Sequence, residues 1–142
     1  MTLRVGQVVQ GVPWYKFKVI EVYTRAQAFE DGVLVDISEW AREYGFVFPV
    51  AVNNSVWSLI EDPEGMKCAG QSVKGRGLDV VAMLATYIKR SQGGSVIKFP
   101  VIFTTGISRT GKEKRETFWL KGVCGPGDNG EPVITVMLPD ED

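Results

Sequence analysis

The sequence predicts an α+β fold: an antiparallel β-sheet ending in a C-terminal three-stranded meander, with short helices and one longer helix packed on one face. Three observations carry this expectation. Helix signals dominate the chain up to Arg90, and strand signals close it. The last three strand-like runs are joined by hairpin-length links, which favours antiparallel neighbours. At 142 residues the chain has the size of one domain, so 1–142 is taken as a single unit able to bury a core.

The elements follow in order. Gly6, Gly11 and Pro13 break any long element near the start, and Trp14, Tyr15 and Phe17 offer cover for a core edge. Phe17–Tyr23 is rich in β-branched and aromatic residues and reads as a strand. Thr24 is placed to cap a short helix, Arg25 to Glu30, which Asp31-Gly32 ends. After the apolar run Val33–Ile37, Ser38 is expected to cap a helix over Glu39–Tyr44, with Gly45 just past its end. Pro49 limits Phe46–Val52 to an edge strand or loop. Asn53 or Asn54 can cap a third helix carrying Val56, Trp57 and Ile60 on one face.

Asp62–Gly77 is the longest polar stretch and is expected to be a mobile loop. Leu78–Arg90 carries the strongest helical pattern, with Val80, Val81, Leu84, Tyr87 and Ile88 on one face and Lys89-Arg90 at the negative dipole end. Three strands are then predicted: Val96–Thr104, Glu116–Cys124 and Pro132–Leu138. A basic loop, Thr105–Arg115, joins the first two, and the turn-rich Gly125–Gly130 joins the last two.

Composition excludes several chemistries. Histidine is absent, so no Ser-His-Asp or Cys-His unit and no His-ligated zinc site can be built. The two cysteines, Cys68 and Cys124, are too few for a Cys-only metal site and are expected to be reduced, mostly buried and inert. The carboxylates Asp36, Glu39, Glu43, Glu61 and Asp62 lack metal-ligand spacing. No cofactor or metal is expected, and no catalytic residue is assigned. The apolar runs are short and broken, and the first residues lack an apolar signal region. A cytoplasmic protein with no membrane partner is therefore expected.

The net charge of −1 conceals a pattern. Residues 1–62 carry a net −3, residues 63–121 a net +7, and residues 122–142 a net −5. Such a basic middle either neutralises the acidic ends or presents a patch to an anionic partner. The candidates for that patch are Arg76, beside Gly75 and Gly77 at a helix entry, and Arg109, Lys112, Lys114 and Arg115 near a hairpin tip. Tyr23 and Arg25 at a helix start, and Trp57, are candidates for a ligand or partner surface. Four tryptophans are many for this length, and any one at the surface would mark a binding site.

Tyr23–Asp36 (YTRAQAFEDGVLVD), Ala41–Glu43, Gly45-Phe46, Phe48–Ala51, Val56-Trp57 and the closing run Leu120–Asp142 form a set of motifs. Together they resemble an uncharacterised family, a domain of unknown function encoded on bacterial plasmids, integrated elements and phages. One departure is Gly75–Val80, GRGLDV, where the family tends to carry a Trp before the Asp. The resemblance implies an accessory protein of mobile DNA and transfers no catalytic residue. The first expectation is thus a non-catalytic binding protein that counters host defence by engaging a defence complex or sequestering a small anionic ligand. The alternatives are a nucleic-acid-binding accessory factor and a small enzyme with a carboxylate or Tyr/Lys site.

Overall fold

The structure, a computed structural model, describes residues 23–142. The aromatic residues Trp14–Phe17 and all of the expected strand Phe17–Tyr23 but its last residue lie outside the described residues. In chain order the elements are α1 (Arg25–Glu30), β1 (Leu34–Asp36), α2 (Ser38–Arg42), β2 (Val50–Asn53), α3 (Asn54–Ile60), α4 (Pro63–Met66), α5 (Val73–Arg90), β3 (Val96–Ile107), β4 (Glu113–Pro126) and β5 (Pro132–Met137). The fold is α+β.

The five strands form one sheet in the order β1-β2-β5-β4-β3. β3, β4 and β5 pair antiparallel in succession, and β1 pairs antiparallel with β2. β2, however, runs parallel to β5, so the sheet is mixed where an antiparallel one was expected. The residues of β2 explain its interior place. Val50, Ala51 and Val52 are all fully buried, the unbroken apolar pattern of a strand covered on both faces. Pro49 had suggested an edge, but it stands one residue before the strand. It withholds no ladder donor there, and its carbonyl accepts from the Ile134 amide at 2.9 Å.

The core lies between one sheet face and α5. Phe99, Val101 and Phe103 of β3, Leu120 of β4 and Val136 of β5 meet Val80, Val81 and Leu84 of α5. Each such side chain contributes about 1.5–3 kcal/mol on burial. Helices are not confined to this face. Strand alternation turns Thr135 away from Ile134 and Val136, and α1 reaches it there, with Arg25 Nη1 donating to Thr135 Oγ1 at 2.7 Å.

α5 begins five residues before the expected start, and the expected loop 62–77 is largely helical. Asp62 caps α4 through the amides of Glu64 and Gly65, both at 3.3 Å, and Ser72 Oγ accepts from the Gly75 amide at 2.9 Å to open α5. Gly77 serves packing rather than looseness: a Cβ there would overlap the Trp40 ring. Ser38 does not cap α2 as expected. Its hydroxyl donates to Asp36 and accepts from the Val50 amide, tying α2 to β2. Thr24 and Asn53 cap α1 and α3 as expected. Both cysteines are free, Cys68 buried but Cys124 exposed, against the expectation that both would be mostly buried.

Candidate functional site

At the start of α1, a candidate ligand or partner surface, the free amides are already engaged by the chain itself. Both carboxylate oxygens of Asp128, from the β4–β5 turn, accept from the amides of Arg25 and Ala26 at 2.8 and 3.0 Å. The guanidinium of Arg25 is spent on Thr135 Oγ1 and the Ile134 carbonyl. Burial lowers its pKa, opposed by the nearby carboxylates of Asp128, Asp36 and Glu131. Tyr23 donates to Asp31 at 2.9 Å, and partial desolvation together with that bond raises its phenol. The chain's own acids thus fill a place that a ligand anion would need. Trp57 is half-buried and stacks on Trp40, with centroids 6.3 Å apart and planes 17° apart, so it lies in the packing under α5.

Arg76 is the clearest correction to the expected basic patch. It is 2% exposed, and its guanidinium donates to the carbonyls of Thr104 (2.8 Å) and Leu59 (2.9 Å) and to Gln71 Oε1 (3.1 Å). It also lies over the Phe103 ring at 4.4 Å. Arg76 therefore pins α3 and α5 to β3 and is closed to any partner. Periodicity could have exposed this, since Arg76, Val80 and Leu84 fall on one helical face.

The four remaining cations stay together. The β3–β4 hairpin closes through Ser108–Lys112, where the Ser108 amide donates to the Lys112 carbonyl at 2.7 Å and Gly111 takes φ +81°. Arg109, Lys112, Lys114 and Arg115 are all exposed at or beside this tip. Among the described residues only Glu113 forms an ion pair with one of them, Arg115 at 3.6 Å.

The sheet face turned away from α5 adds what the sequence reading missed. Register places Pro100 opposite Trp119, Lys98 opposite Lys121 and Ile102 opposite Thr117. Phe99 and Leu120 point into the core, so these neighbours point outward. Trp119 is 54% exposed and Ile102 59%. Two lysines directly opposite each other repel and cost stability. Glu141 lies close enough to Lys121 for attraction between them to lower the Glu141 pKa, though the hydrogen bond from Asn53 is the largest cause of that shift. The signal was available in β4: with Phe118 and Leu120 inward, Trp119 must face out.

A concavity of about 490 Å³ opens on the α5 side of the sheet between the 44–48 loop, the end of α5 and the 91–95 loop. Among the described residues no group of acids and cysteines could hold a metal ion, and no helix is long and apolar enough to cross a membrane.

The family can be stated at this point. The chain belongs to a family of unknown function (DUF6573), whose model matches residues 14–142. No curated protein and no solved structure matches it. Membership covers the whole described fold, including the outward sheet face and the hairpin tip.

Proposed function

We propose that this DUF6573 protein acts by binding, and that the ligand of its outward sheet face is single-stranded nucleic acid. The observation that carries this reading is Trp119, half exposed on the sheet face between the Lys98–Lys121 pair and the cationic hairpin tip. An exposed indole on a sheet stacks an unpaired base whatever its identity, and flanking cations hold the phosphates. A paired duplex hides its base faces and would leave the indole unused. From Lys121 to Lys114 the ribbon runs about 23 Å at about 3.3 Å per residue. That suits a few nucleotides, the low end of the roughly 4–16 nucleotides that single sheet modules cover.

The test is anisotropy of a labelled oligothymidine, with a duplex of equal length as competitor, titrated with salt. Affinity should fall steeply with salt and fall further when Lys112, Lys114 and Arg115 are all changed to Glu. Trp119→Ala should weaken binding by about 1–3 kcal/mol, as loss of one stacked base does. Binding that ignores salt and survives all four substitutions refutes the reading.

A second reading keeps the accessory role on a phage, plasmid or integrated element, countering host defence by engaging a defence complex or a small anionic ligand. Its support is the motif resemblance together with the exposed tip cations, which suit any anionic surface. Failure of the oligonucleotide test with a folded protein would favour it.

A further inference from the structure

We infer that the concavity on the α5 side of the sheet is a binding site for a small planar aromatic molecule carrying one negative charge. This site is separate from the outward sheet face and does not depend on the nucleic-acid reading. Its volume, about 490 Å³, lies within the range of small-molecule pockets, roughly 300–1,000 Å³. Its floor is core: Leu84 and Ile134 are buried, and Gly122 is bare because a Cβ there would approach Leu84 Cδ1 to 2.8 Å. One wall is the 44–48 loop, which turns Tyr44, Phe46 and Phe48 toward the space. The opposite wall is the last turns of α5. The 91–95 loop closes one end, and Gly93 and Gly94 hold positive φ angles there (+104° and +110°) with open space where a Cβ would stand. A side chain at either would be strained, so the loop stays thin and the mouth stays open.

The lining chemistry selects the ligand. Aromatic rings on one wall and aliphatic side chains on the floor favour a flat apolar body. Among the described residues Lys89 is the one charged side chain that lines the space, and no carboxylate does. The lip is apolar where solvent would dictate otherwise: Val47 is 86% exposed and Phe48 43%. A sulfonate or carboxylate near Lys89 with its ring inside would cover both features at once.

The probes are 8-anilinonaphthalene-1-sulfonate and the neutral N-phenyl-1-naphthylamine, which share a ring system and differ in charge. Fluorescence titration of the whole chain should show one saturable site for the sulfonate and weaker binding of the neutral probe. Ala85→Trp, which fills the space from α5, should abolish both. Lys89→Glu and Val47→Asp alter exposed positions and leave the fold intact. Lys89→Glu should weaken the sulfonate about tenfold while sparing the neutral probe, as expected for a reversed charge a few ångströms away, and Val47→Asp, which also removes apolar cover at the lip, should weaken both probes, the sulfonate more. The inference is overturned if the sulfonate binds Lys89→Glu and Val47→Asp as it binds the native chain. It is equally overturned if both probes lose the same affinity in Lys89→Glu, since charge would then play no part. Sedimentation showing a dimer that the probe dissociates would also overturn it, because the concavity would then be a contact between copies. If Ala85→Trp fails to fold, the two surface variants decide.

Discussion

Arg76→Ala should lower the stability of this fold by about 3–5 kcal/mol, the loss of its charged hydrogen bonds and ring contact less the desolvation that alanine recovers. The figure follows from what the guanidinium touches. Three hydrogen bonds tie it to the Thr104 and Leu59 carbonyls and to Gln71 Oε1. Charged hydrogen bonds contribute about 1.5–3 kcal/mol each, and their loss leaves buried acceptors unmatched. The stack on Phe103, desolvated at 4.4 Å, adds about 2 kcal/mol. Against this stands the several kcal/mol spent in removing a cation from water, which alanine recovers. Burial pushes the Arg76 pKa down, opposed by the carboxylates of Asp62 and Asp79. Its Nε finds no acceptor among the described residues, a sign that the network is not fully matched. At about 3 °C per kcal/mol for a domain near this size, the midpoint should drop by about 10–15 °C in calorimetry. Arg76→Lys should lose most of the same stability, because an ammonium cannot reproduce the planar fork. If Arg76→Ala melts within a degree or two of the native protein while losing affinity for an anion, the residue is an exposed contact and the placement argued above is wrong.

Three other substitutions probe separate parts of the fold. Val136→Asp puts a carboxylate at a fully buried position between β2 and β4 and should abolish cooperative unfolding, since an unpaired buried charge costs several kcal/mol against a typical total of about 5–15; a native-like melt would reject the strand assignment. Asp128→Ala removes the carboxylate that caps α1 and should cost about 1–2 kcal/mol in urea denaturation, with no loss meaning that the amides of Arg25 and Ala26 are satisfied by water instead. Glu141 accepts from Asn53, Ser55 and the Leu138 amide, and these bonds hold its carboxyl below the ordinary value of 4.5. Its stabilisation is therefore complete above that value and is lost as pH falls through the lower folded one. Glu141→Gln should cost about 1 kcal/mol or less at pH 7, given its solvent exposure, and less as the pH falls below 4.5; a cost unchanged by pH would show that charge is not involved. Asp79, raised by burial, works in the opposite sense, so the comparison must be made between native and variant at each pH.

The parts of this fold legible in the sequence were those set by local chemistry. Thr24 and Asn53 cap helices because a hydroxyl or amide oxygen two or three residues ahead of free amides needs no tertiary partner. The strands of the β3–β4–β5 end announced themselves by alternation and turn residues. What was hidden depends on residues distant in the chain. Gly75 and Gly77 suggested a loose segment, yet they lie in a helix, because Trp40, 37 residues earlier, needs the space above Gly77. The parallel pairing of β2 with β5 leaves no local mark, since the two strands are about eighty residues apart, and Pro49 pointed the other way.

The same distinction governs the candidate site. Periodicity can mark a cation as inward-facing, as at Arg76, but it does not say whether the partner is a carbonyl, a carboxylate or a ligand. The partners of Arg25 and Arg76 are set only when the fold supplies Thr135 and Thr104. Interior partners therefore remove cations from the patch, and the fold keeps those on the one element that outruns its neighbours. The ladder between β4 and β5 ends at Lys121, while that between β3 and β4 continues to Glu113. Among the described residues that overhang leaves Trp119, Ile102 and the hairpin tip without a strand beyond them, and it gathers an indole and four cations on one ribbon. A ribbon kept only for stability would gain from apolar cover over Trp119 and from opposite charges at 98 and 121. Among the described residues it carries neither, and that is the feature from which the proposed nucleic-acid reading starts.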